Sequence, residues 1–210
     1  PEAKYKYSPH PIYNIFNNTL SKEQAKAELN IATKKVLLFF GLIRKYKGLD
    51  ILINAMEKIN TELEDYTLLI VGECYENKDK YIDLIKKAGI TDNVHCHYSF
   101  VPDNEVGKYF SASDVVVLPY KTASQSGIVQ IAYHFDTPVI VSNVGGLPEI
   151  VDEGKTGYCV EPSSNAFAKA IKAFYEKDNI SELNSNISDY KSQFSWNAMV
   201  NAIEELVNVH

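Results

Sequence analysis

The chain has 210 residues, of which 45% are hydrophobic and 23% charged, with a formal net charge of −6 at pH 7. That make-up belongs to a globular chain long enough to bury a core, and it excludes disorder and fibre. The acidic balance argues against a general nucleic-acid or anionic-membrane surface, so any phosphate bound here is expected to be part of a small ligand.

Residues 1–18 are rich in Tyr, Pro and Asn and read as an irregular connecting segment, because Pro9 and Pro11 push the residues before them toward extended geometry. Ser21 and Gln24 form a capping box that predicts a short helix to about Asn30. Lys35 to Gly41 is a continuous apolar run ended by glycine, as in a strand covered on both faces. A basic loop, Arg44-Lys-Tyr-Lys-Gly48, follows. Leu49, Leu52, Ile53, Met56 and Ile59 then recur at helical spacing.

Tyr66 to Gly72 is a second buried strand, and Lys80 to Ala88 a second helix closed by Gly89. From Asn93 to Phe100, Val94, Cys96 and Tyr98 alternate with His95, His97 and Ser99, which predicts a half-buried edge strand. A helix opens at Pro102 and ends near Ser113. Asp114 to Tyr120 reads as a strand, Ser124 to Asp136 as a helix, and Pro138 to Ser142 and Gly157 to Val160 as strands. Asn165 to Glu176 is a helix with Phe167, Ile171 and Phe174 on its buried stripe. Asn179 to Ser195 is polar and rich in Ser and Asn, and Trp196 to Val207 offers a last helix.

Strand-helix alternation with short connections implies an α/β fold: a Rossmann-like parallel sheet with right-handed crossovers and helices on both faces. The expected organisation is a connecting segment and short helix over 1–34, a Rossmann-like domain over 35–178 and a C-terminal helical extension over 179–210. Cys74, Cys96 and Cys159 are odd in number and widely spaced, which suggests neither a disulfide framework nor a CxxC metal site and fits a reducing, cytoplasmic setting. No run approaches the roughly 18 apolar residues of a membrane span, and the first residues do not form a signal peptide. The lack of an initiator Met suggests that the chain begins inside a larger protein.

Ligands of open parallel sheets bind at the carboxyl ends of the strands. Five loops converge there: those after Gly41, after Gly72, around Ser99 to Pro102, from Tyr120 to Gly127, and from Ser142 to Glu149. Ser126 and Gly127 open a helix, whose first N–H groups and partial positive charge suit an anion. Arg44, Lys45 and Lys47 reach a diphosphate placed there or, alternatively, form a solvated basic loop. Gly145 and Gly146 either bring N–H groups to a ligand or make a tight strand-to-helix turn. Glu149 accepts from sugar or ribose hydroxyls or serves as a first-turn charge. His95 and His97 share a strand face but lack a third ligand nearby, which favours an edge strand over a metal site. No GxSxG, HExxH, Walker loop or GxGxxG occurs.

Six motifs stand in order: Phe40 to Asp50, Leu69 to Gly72, Ala112 to Pro119, Ser124 to Ala132, Pro138 to Glu149 and Gly154 to Gly157. Together they resemble the C-terminal, donor-binding half of retaining GT-B glycosyltransferases of the group 1, family 4 type. The resemblance implies a nucleotide-diphosphate-sugar donor and no metal or cofactor. Its base packs on Ser99, Phe100 and Val101, and its diphosphate is held near Gly41 by Arg44 and Lys47 and by the N–H groups of Ser126, Gly127 and Ile128. The sugar lies near Tyr120, Ser124 and Gln125, and the acceptor, a glycan or lipid-linked glycan, is met by an N-terminal domain that would also carry any peripheral membrane association.

Three departures accompany it. The family's two glutamates are replaced by Ser124 and by Ile131 or Ala132, which shifts their contacts to Ser124, Gln125 or Gln130. The arginine beside the strand-end glycine is Leu42, with Arg44 as candidate replacement. The N-terminal domain is missing, so these residues alone are expected to bind a donor and turn over poorly or not at all. The competing readings are a GT-B-shaped nucleotide-sugar 2-epimerase and a catalytically silent nucleotide-sugar-binding module.

Overall fold

The structure, a computed structural model, describes residues 10–13, 15–16 and 20–207. Six strands, β1 (Lys35–Phe40), β2 (Tyr66–Val71), β3 (Val94–His97), β4 (Val115–Leu118), β5 (Val139–Ser142) and β6 (Gly157–Val160), form one sheet in the order β3-β2-β1-β4-β5-β6. Every neighbouring pair is parallel. The helices are α1 (Lys22–Glu28), α2 (Leu49–Ile59), α3 (Lys78–Lys87), α4 (Asp103–Ala112), α5 (Gly127–His134), α6 (Ser164–Glu176), α7 (Ile180–Tyr190) and α8 (Trp196–Val207). None of the described helices is long and apolar enough to cross a membrane.

Successive strand residues point to opposite faces, and both faces of this sheet are covered. Val36, Leu38 and Phe40 of β1 join Val116 and Leu118 of β4 under α4 and α5. Leu37 and Phe39 join Val115 and Val117 under α2, α3 and α6. This two-sided burial is why the central strands read as unbroken apolar runs, and each fully buried large apolar side chain contributes roughly 1.5–3 kcal/mol.

The strand ends opposite the ligand-binding edge are joined by Asp114, a buried carboxylate. Its Oδ2 accepts from the Val36 N–H at 2.6 Å, its own N–H donates to the Val36 carbonyl, and Lys22 of α1 pairs with Oδ1. The capping box expected at Ser21 is present and positions that lysine.

Four local features differ from the sequence reading. The α5 helix begins at Gly127 with Ser126 as its N-cap, so Ser124 and Gln125 belong to the preceding loop. The β3 strand lies at the sheet edge as expected, but it has only four residues and lacks the buried alternation. Turns rather than a helix join β5 to β6 across 143–156. The polar 179–195 stretch contains α7, whose Leu183 and Ile187, one helical turn apart, are fully buried. Of the connecting segment, residues 1–9, 14 and 17–19 lie outside the described residues, and the described part forms neither helix nor strand.

Candidate functional site

The chain runs outward from β1 through β2 to β3, then returns to the other side of β1 and runs through β4 to β6. The reversal leaves a crevice between the carboxyl ends of β1 and β4, the place where doubly wound sheets hold ligands. A cavity of about 330 Å³ lies there. Its floor is Gly41 and Gly72, one side is Phe100 and Val101 after β3, and the opposite side is Gly127, Ile128 and Ile131 of α5.

The α5 side carries the electrostatics. The Ser126 hydroxyl accepts from the Ile128 N–H at 3.3 Å and lies 3.2 Å from the Tyr120 hydroxyl. Lys47 donates to that same Tyr120 oxygen at 2.6 Å, with its ammonium 3.9 Å from the ring centroid. Burial lowers the Lys47 pKa from its ordinary value to about 8. Burial also raises that of Tyr120, so the phenol remains a proton donor throughout the neutral range. A partly desolvated cation, a phenol and a helix N-terminus are thereby joined in one chain of hydrogen bonds.

Backbone contacts hold these groups in place. Gly48 has φ +69, and a Cβ there would lie 1.8 Å from the Pro119 carbonyl oxygen, so the Lys47 loop rests directly on the end of β4. Lys121 reinforces the contact, its N–H bonding to the Tyr46 carbonyl and its ammonium to Asp50 at 2.6 Å. The Tyr120 to Ser126 loop is braced from its far side. Gly145, with φ +55, packs on Ala123, where a Cβ would fall 1.6 Å from the carbonyl oxygen, and the Gly146 N–H donates to Ser124 at 2.9 Å. The Gly145-Gly146 turn thus spends that N–H on the neighbouring loop.

Of the residues singled out from sequence, Gly41, Lys47, Phe100, Val101, Gly127 and Ile128 line the cavity, with Tyr120 and Ser126 directly behind Lys47. Ser124 and Gln125 are exposed on the adjoining loop, and Ser99 is exposed beside the Phe100 wall. Gln130 is buried inside α5, 1% exposed, and neither of its amide atoms has a hydrogen-bond partner. Glu149 lies in a turn, not in the first turn of a helix. Arg44 does not join the cluster. It precedes the turn that carries Lys47, in extended conformation, and stacks on Tyr75 at 4.6 Å beside a separate surface depression.

The cavity also takes in Tyr13, Phe40, Leu42, Tyr46, Glu73 and Ile131, none of them among the residues expected from sequence to bind. Glu73 directly follows Gly72 in one of the convergent loops, and nothing local marks Tyr13, whose segment is anchored by an Ile12 N–H bond to the Phe194 carbonyl at 2.8 Å. Among the described residues no cluster of three or more His, Cys, Asp or Glu side chains is placed to hold a metal ion. The histidines of β3 instead lie at the sheet edge, with His97 beside the Tyr109 ring.

A family model described as glycosyl transferases group 1 matches residues 21–194. A D-inositol 3-phosphate glycosyltransferase of Corynebacterium aurimucosum is 30% identical over 193 residues, covering 88% of this chain and 45% of the relative. Sucrose-phosphate synthase of Thermosynechococcus elongatus superposes with a TM-score of 0.80 at 25% identity, over 95% of this chain and 51% of that one. The C-terminal domain of a glycosyl transferase group 1 family protein of Francisella tularensis superposes at 0.76 with 24% identity, over 87% of this chain and 97% of that domain. The chain spans about half the length of the curated relatives it matches.

Proposed function

The chain belongs to the group 1 glycosyltransferase family, and on that premise we propose that its cleft binds a nucleotide-diphosphate sugar for retaining transfer to a glycan or lipid-linked glycan. The observation that carries the reading is the meeting of Lys47 with the N-terminus of α5 through Tyr120 and Ser126. A diphosphate seated there faces a cation and the positive end of the α5 helix. As the bond from the anomeric carbon to the β-phosphate oxygen breaks, the electron pair stays on the leaving diphosphate. Donors already aimed at that charge favour the transition state over the ground state.

On this reading the base lies on Phe100 and Val101, and the sugar faces the Ser124–Gln125 loop. Leu42 stands where the family resemblance expects an arginine, so Lys47 is the basic side chain assigned to the diphosphate. No metal is assigned a role. The acceptor is given to residues outside this stretch, in keeping with its half-length match to relatives, and the stretch alone is expected to bind without turnover. A cytoplasmic setting, where nucleotide sugars and free thiols coexist, is part of the same proposal.

Titration with UDP, GDP and ADP and their sugar conjugates tests it. At least one should bind tighter than millimolar, the threshold of about 4 kcal/mol. Failure of all three would remove the donor-site reading.

A further inference from the structure

The cavity holds one acidic and one basic side chain, Glu73 and Lys47, on opposite sides of a glycine floor. Gly72 has φ +139, and a Cβ on it would meet the Gly41 carbonyl oxygen at 2.1 Å, so the two strand ends pack backbone to backbone and line the cavity without a side chain of their own. A carboxylate beside a diphosphate site repels the ligand unless it meets hydrogen-bond donors that the ligand carries. Phosphates at α5 and a base on Phe100 and Val101 leave the ribose, their covalent bridge, above Gly41 and Gly72 next to Glu73.

We propose that Glu73 accepts the hydroxyls of the ribose diol, an assignment that rests on the donor-site reading above. A vicinal diol supplies two O–H donors to one carboxylate, giving charge-assisted bonds. An acidic residue in the loop after the second strand plays this part in other doubly wound nucleotide sites. The Glu73 side chain is held in place by Tyr75, whose hydroxyl donates to Oε2 at 3.1 Å, and among the described residues no other hydrogen-bond donor reaches the carboxylate. Hydrogen bonding to Glu73 raises the Tyr75 pKa, which keeps that phenol a donor. Arg44, stacked on Tyr75 at 4.6 Å, acts through it as a positioning residue. The glutamate missing from α5 is thus replaced across the cleft.

The test measures binding of UDP, GDP and ADP and the 2′,3′-dideoxy form of each to the full chain and to its Glu73→Gln and Tyr75→Phe variants. For whichever base binds, the ribo form should bind the unaltered chain at least about tenfold tighter than the dideoxy form. Glu73→Gln should shrink that ratio to within about threefold while leaving dideoxy affinity unchanged or improved. Tyr75→Phe should give an intermediate ratio. A ratio that survives Glu73→Gln, or equal loss for both forms, overturns the assignment and leaves the donor site standing. If no ribonucleoside diphosphate binds, both fall together.

Discussion

Lys47 donates to the Tyr120 hydroxyl at 2.6 Å with its ammonium 3.9 Å from the centre of the same ring, a pairing that keeps a half-buried cation beside the N-terminus of α5. With its pKa lowered to about 8, Lys47 begins to lose its proton in mildly alkaline solution. A bound diphosphate favours the ammonium form, so the complex holds the proton to higher pH than the free chain does. Linkage then fixes the sign: affinity is full below pH 7 and declines as pH rises through 8. Calorimetric titration of the tightest nucleoside diphosphate should show an affinity loss of about fivefold between pH 8 and 9. Lys47→Arg, which keeps its charge in this range, should flatten the profile. A flat profile in the unaltered chain would separate Lys47 from the phosphates.

Gly48 and Gly89 share nearly the same backbone, φ +69 and +67, but not the same surroundings. A Cβ at Gly89 meets nothing within 4 Å, whereas at Gly48 it collides with the Pro119 carbonyl at 1.8 Å. Gly89→Ala should therefore cost only conformational strain, about 1 kcal/mol. Gly48→Ala must also push the Lys47 loop off β4, which should raise the cost to about 3 kcal/mol or more. Urea denaturation of the two variants compares them directly. Equal losses would mean that the loop is not seated on β4.

The sheet was legible in sequence because two-sided burial writes the central strands as apolar runs, such as Val36 to Phe40 and Leu68 to Val71. The Ser126 cap and Lys47 were legible for local reasons too: a small polar residue before a helix, and a cation in a strand-end loop. Arg44 lies in the same loop, yet sequence does not say that its extended backbone carries it to Tyr75. The α7 helix was hidden by Ser and Asn, although Leu183 and Ile187 supply the buried stripe. Tyr13 is set by tertiary contacts with residues more than a hundred positions away, for which no local pattern exists.

Asp114 lies at the opposite sheet end from the cleft, where it satisfies the buried Val36 N–H and pairs with Lys22. Asp114→Ala leaves that N–H without its acceptor, a loss of about 1–3 kcal/mol. Thermal unfolding should shift down by about 2–4 °C for each kcal/mol lost, the scale for a chain of this length. Asp114→Asn retains an amide oxygen as acceptor and should cost less than half as much. Neither change should alter nucleotide affinity at temperatures where the chain is folded. A drop in affinity with unchanged stability would contradict the purely structural role assigned to this carboxylate.

Gly127 opens α5 without a positive φ, so its lack of a side chain answers to its neighbours rather than to its backbone. The neighbour is Tyr13: a Cβ on Gly127 would sit 3.2 Å from its hydroxyl oxygen and 3.3 Å from its ring. With Tyr13 present, Gly127→Ala should displace the ring and lower stability slightly. With Tyr13→Ala, the same change should be neutral or stabilising, because alanine is the better helix former. The difference between the two backgrounds, a coupling of about 0.5–1 kcal/mol, is measurable by urea denaturation of the four proteins. Additive effects would mean that Tyr13 does not rest on the helix start. A coupling of the expected sign would place Tyr13 against the same first turn assigned to the donor diphosphate, so that a nucleoside diphosphate and the Tyr13 ring share one surface.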